Sequence, residues 1–150
     1  MTFVSTEIED VLAILDQLDP EKKPLWGTMS AQRMVEHLTD VIRLASGKDK
    51  FELVIPAEKV EKAQAFIFSD FPMPKDFKVP FAKETNELRH EEIELAIDEF
   101  LLEWIDFENY YIENEGIKTL HPNFGELNYE QWVRLHSKHL THHFQQFELI

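Results

Sequence analysis

A chain of 150 residues with 43% hydrophobic residues, twelve Phe and only four Gly is long enough to bury one core and too apolar to stay disordered. It has no Cys and a formal net charge of −14, which excludes a disulfide framework, a thiolate metal site and a protein thiol nucleophile, and argues against nucleic acid or an anionic membrane as partner. It also lacks an apolar run of about 18 residues, and the opening MTFVSTEIED has neither a basic nor an apolar leader region, so a soluble, cytoplasmic protein is expected.

Apolar residues recur at helical rather than alternating spacing, which makes the expected class all-α, with residues 1–150 as one domain. The first helix is predicted over 6–18, on Ile8, Val11, Leu12, Leu15 and Leu18. Thr6 with Glu9 reads as its capping box, and Pro20 lies just past its end. A second helix should start at Ser30 as N-cap and run to Ser46, where Gly47 stops it. Met34, Leu38, Val41, Leu44 and Ala45 form its apolar face, with Gln32, Glu36, Thr39 and Arg43 opposite. His37 sits inside the apolar arc, where it must find a partner or a metal.

Between Gly47 and Thr85 the chain makes an excursion too long for a plain loop. Residues 57–68 read as a helix on Val60, Ala63, Ala65, Phe66 and Ile67. The following FSDFPMPKDFKVPF (68–81), with three prolines and four Phe, reads as an extended wrap on the bundle. A third long helix is predicted over about 86–114, with Ile93, Ile97, Phe100, Leu101, Trp104, Phe107 and Tyr111 as its stripe. The stretch 84–115 carries twelve Asp and Glu against the single Arg89, a pattern expected of a solvated helix face. Gly116 ends this helix, HPNFGEL (121–127) is turn-rich, and Asn128 with Gln131 opens the last helix.

At about 100° per residue, that last helix puts Trp132, Leu135, His136, His139, His143, Phe147 and Ile150 on one face. Arg134, Lys138, Thr141, Gln145 and Glu148 lie opposite, with His142 at the boundary. Four apolar stripes can be buried only against each other. The expected fold is therefore a four-helix bundle with a long, partly helical excursion between its second and third helices.

Four of the seven histidines fall at 136, 139, 142 and 143. His139 and His143 are four apart and project from one face, one turn above the other. That spacing lets two imidazoles hold one metal ion from a single helix, and His37 offers a third nitrogen with a coordination position left open. A lone histidine on an apolar face is ordinarily a core residue bonded to a carbonyl or carboxylate. Three imidazoles buried together without a ligand would leave several nitrogens unpaired, at about 1–3 kcal/mol each.

Alternatives remain within the cluster. His139 with His142 also spans a turn, although His142 points toward the polar edge, and His136 reads as a core or ligand-supporting residue. His90 falls among charges and is expected to be solvated, while His121 should shape the turn before the last helix. Asp40, near the edge of the face that carries His37, is a candidate to orient an imidazole, and Gln146 a candidate to touch ligand or water. Residues so placed are more often ordinary surface or rim residues. A zincin would need Glu where Leu140 stands. A di-iron site would need two Glu-x-x-His motifs on different helices, and only Glu87–His90 offers one. Neither a Gly-rich phosphate loop nor a Ser-centred nucleophile elbow is present.

Two stretches, WGTMSAQRMVEHLTD (26–40) and WVRLHSKHLTHHFQQF (132–147), resemble the DinB/YfiT-like superfamily of four-helix metalloproteins. The first is similar to that family's second helix, where the histidine of an "xxHL" segment is a ligand. The second is similar to its last helix, with a His-x-x-x-His pair ahead of a Gln. The lead-in HPNFGELNYEQW (121–132) looks like one branch of the superfamily, whereas residues 47–86 match nothing in it.

The resemblance implies His37, His139 and His143 as metal ligands, a homodimer, and metal-dependent transfer of a low-molecular-weight thiol onto a small electrophile, or related hydrolytic and isomerase reactions. Imidazole ligation suits zinc or nickel, with iron or copper also compatible. A divalent ion on three neutral imidazoles keeps its charge and an open position, as catalytic sites do. It deprotonates a coordinating thiol or lowers the pKa of a water. Without Cys, the thiol must come from a cosubstrate. A thiol S-transferase acting on a small-molecule substrate is the expected function. The alternatives are a hydrolase that activates water and a non-catalytic, metal-stabilised binding protein with the acidic helix as contact face. No general acid or base stands out.

Overall fold

The computed structural model describes residues 2–75 and 87–150. In chain order these form α1 (Ile8–Leu15), α2 (Ala31–Ala45), a 3-10 turn (Ala57–Lys59) leading into α3 (Val60–Ile67), α4 (Ile93–Glu113), strands β1 (Thr119–His121) and β2 (Gly125–Leu127), and α5 (Tyr129–Gln146). The fold is an all-α four-helix bundle of α1, α2, α4 and α5. Helix α2 packs mainly on α4 and also meets α5, α1 rests on α4, and α3 of the excursion lies against α5. None of the described residues forms a helix long and apolar enough to cross a membrane.

Where a helix end is set by its neighbours in sequence, it falls where local chemistry predicts. The Ser30 hydroxyl accepts from the Arg33 N–H at 3.1 Å, and Gly47 follows the end of α2 at φ 75°. Asn128 and Gln131 make both arms of a capping box at 2.9 Å each. At α1 a neighbour competes. Ser5 accepts from the Glu7 N–H at 3.1 Å and donates to Asp10 at 2.9 Å, so Glu7 becomes the N-cap and the expected pairing of Thr6 with Glu9 does not form.

The long helix begins at Ile93 rather than near residue 86, and the cause lies on α2. Glu36, wholly buried, accepts the Arg89 N–H at 2.7 Å and the Gln32 amide at 3.1 Å. The Arg89 guanidinium reaches Asp40 and Glu99 at 2.8 Å each. This tethers the segment before Ile93 to α2 in a non-helical path. Residues 76–81 of the expected wrap over 68–81 lie outside the described residues; of those described, Met73 is buried and Phe71 exposed. The acidic face is also only partly solvated, because buried Glu103 accepts from Arg43 at 3.0 Å and Lys48 at 2.9 Å.

The turn-rich HPNFGEL forms a short antiparallel hairpin with β1 and β2. At Gly125 φ is 78°, and a Cβ there would come within 2.8 Å of Val60. The Thr119 hydroxyl accepts from Trp132 Nε1 at 2.7 Å and donates to the Ala45 carbonyl at 2.9 Å, which ties the hairpin to the end of α2. Helix α5 is enclosed well beyond one face. Lys138 is fully buried, and its ammonium donates to the Phe66 and Phe71 carbonyls at 2.7 and 2.6 Å and to Ser69 at 3.1 Å. Thr141 is also buried and accepts from the Val4 N–H at 2.9 Å. Ile150, expected on the apolar face, is largely exposed.

Candidate metal centre

The crossing of α2 and α5 brings His37, His139 and His143 together. The Nε2 atom of His139 lies 3.0 Å from that of His37 and 3.0 Å from that of His143, and one ligand atom from each of the three falls within 4.8 Å of the others. Their rings meet edge to face, with centroids 4.6–5.0 Å apart. The helical rise stacks His139 and His143, and the apolar neighbours of His37 on α2 carry it to the crossing. His37 and His143 are buried, and His139 is half-buried.

Each Nε2 has a single in-plane valence, a proton or a lone pair. One proton among three converging nitrogens gives at best a shared, bent contact, whereas one cation satisfies three lone pairs together. Ligand bonds of about 2.0–2.1 Å in a tetrahedral zinc site separate imidazole nitrogens by about 3.3 Å, close to the two 3.0 Å separations from His139. The donor set therefore fits a borderline divalent ion.

Burial keeps these rings neutral, the form that binds metal. It pushes His37 down to about 3, with the nearby Arg33 and His142 adding to the effect. His139 and His143 are held well below the usual histidine range by burial and then by their neighbouring histidines. The Gln146 oxygen sits 2.7 Å from Nδ1 of His143, while its amide nitrogen donates to the Trp26 carbonyl at 2.9 Å. With the amide nitrogen so committed, the oxygen accepts the Nδ1 proton, and the lone pair of His143 is left on Nε2, facing the other two rings.

The remaining sequence candidates lie elsewhere. Asp40 contacts Arg89 at 2.8 Å and Arg33 at 3.4 Å, with no contact to an imidazole. His136 is buried between Trp104, Phe107 and Trp132, with centroids 5.0–5.6 Å away. His142 stands beside His143 and edges the Trp26 ring. His90 is half-buried, 3.2 Å from Glu99, rather than solvated. His121 does shape its turn, since Nδ1 accepts the Asn123 N–H at 3.0 Å.

Two residues near the trio escaped sequence reasoning. Trp26 supplies the carbonyl that holds Gln146, a long-range contact with no local signature. Arg33 precedes His37 by one turn on the same helix face, and that spacing was the signal available.

The family model described as "Protein of unknown function (DUF1569)" matches residues 3–149. No curated protein and no solved structure matches the chain. With the match running over nearly its whole length and the three-histidine cluster in place, the chain belongs to the DUF1569 family, a DinB/YfiT-like one.

Proposed function

We propose that this protein is a divalent-metal-dependent enzyme in which His37, His139 and His143 hold a zinc or nickel ion, and that it transfers a low-molecular-weight thiol onto a small electrophile. The observation that carries the reading is the convergence of three neutral Nε2 atoms with no carboxylate among them. An ion held there would keep its full charge and make a thiol or water at its open position more acidic.

The chain's own residues do the rest. Burial keeps the imidazoles deprotonated, and Gln146 fixes the tautomer of His143. Because the protein has no Cys, the sulfur belongs to a cosubstrate. The thiol releases its proton to solvent, its sulfur lone pair forms the new C–S bond, and the leaving group departs with the electron pair of the bond it vacates.

Elemental analysis tests the ligand set. About one divalent ion per chain is expected in the purified protein, with loss of the ion in H37A, H139A and H143A. A panel of small thiols with an activated haloarene, with and without added zinc or nickel, tests the reaction. If no thiol hastens loss of any electrophile, the transferase reading fails; metal-dependent loss without thiol would make the site a hydrolase.

A further inference from the structure

We propose that Arg33 receives the anionic group, a carboxylate or similar oxyanion, of the molecule that reaches the three-histidine site. The inference rests on the metal reading above and adds a substrate class to it.

Arg33 is only 3% exposed, yet its guanidinium has a single hydrogen-bond partner among the described residues, Asp40 at 3.4 Å. Its Nε is buried with none. Asp40 is itself held more closely by Arg89, at 2.8 Å. The other nearby acid, Glu36, spends its oxygens on Gln32 and on the Arg89 backbone. A buried guanidinium with one long contact is costly unless something else completes it. Its place makes the cost greater. Arg33 is the third residue of α2, where the positive end of the helix dipole disfavours a cation and favours an anion.

The direction of the side chain links it to the metal centre. Arg33 and His37 are one turn apart on α2, so their side chains leave the same face of the helix, and the Arg33 guanidinium extends along that face to the Asp40 carboxylate at 3.4 Å. His37 stands between those two positions along the helix. A second donor waits nearby in sequence: Trp26 Nε1 is buried without a partner among the described residues, and the ammonium of Lys75 lies 4.5 Å over the Trp26 ring. Trp26 in turn edges the His142 ring, which stands beside His143, so this donor and the Lys75 charge lie on the α5 side of the histidine cluster. The planar fork of Arg33 matches a carboxylate bidentately.

Two thiols of equal reach test the idea on the cobalt(II)-loaded protein: 3-mercaptopropionate, which carries a carboxylate, and 2-mercaptoethanol, which does not. Titrations followed by the cobalt absorption bands should show the anionic thiol binding at least about tenfold more tightly. In R33Q that preference should vanish while the neutral thiol binds as before, and R33K should retain part of it. Equal affinities in the unaltered protein overturn the inference, whether or not R33Q folds, and so does a preference that survives in R33Q. A protein that takes up no stoichiometric cobalt overturns the metal reading, and this inference with it. Cobalt uptake without a preference for the anion overturns this inference alone.

Discussion

An imidazole enclosed by aromatic rings loses its usual protonation, and His136 does so with no role as a ligand. It is 1% exposed, its Nε2 has no partner, and burial pushes its pKa down to about 3; burial also pushes His121 to about 3. In the unfolded chain both return to about 6.5. Between those values the unfolded state binds more protons, so folding stability is complete above about pH 6.5 and falls as pH drops toward 3. The slope is about 1.4 kcal/mol per pH unit for each such group. H136F should therefore reduce the loss of stability between pH 7 and pH 4.5 by about 2–3 kcal/mol in urea unfolding. An unchanged loss would mean that the ring is not held neutral by its surroundings. At this scale His139 and His143 were legible because i and i+4 on a helix leave no freedom, and His37 because it interrupts an apolar arc in a segment that resembles a ligand-bearing one. Arg33 was not, because periodicity cannot tell a guanidinium that is buried from one that snorkels to solvent.

Among elements, the polar side of α5 shows how a face that reads as solvated becomes a clamp. Lys138 sits there, and its ammonium lies 3.8 Å above the Phe66 ring while donating to three oxygens of residues 66–71. It holds the end of α3 against the bundle. K138M keeps the apolar stem and removes the donors, so unfolding should become easier by about 2 kcal/mol. Amide exchange should quicken in residues 66–71 before it changes in α2. Equal exchange across both regions would contradict a local clamp.

The same element-level view explains which boundaries the sequence could reveal. Ser30 and Asn128 act on N–H groups three residues away, and both caps were predictable. The delayed start of α4 depends on Glu36, 53 residues before Arg89, and no local pattern encodes that. Strands of three residues are likewise too short for alternation to register, so the hairpin read only as a turn.

For the molecule as a whole, the bundle core and the histidine cluster are distinct sources of stability. The core spans all four bundle helices and reaches α3 and the hairpin, whereas the cluster joins only α2 and α5. Chelated protein should therefore keep its far-ultraviolet helix signal and melt at a lower temperature than the loaded form. An ion present at 100 times its Kd adds about 2.7 kcal/mol, which for this length corresponds to about 5–10 °C in Tm. Loss of helix content on chelation would instead identify a structural ion and favour a metal-stabilised scaffold. The global architecture was legible because four amphipathic stripes have few ways to hide from water. The excursion between Gly47 and Ile93 was less so, since its course is set by clamps such as Lys138 and Glu36 rather than by its own periodicity.

One asymmetry of the trio bears on access. His37 and His143 are each 6% exposed, while His139 is half-buried. An ion held by the three would be approached past His139, and so would a reactant bound for that ion.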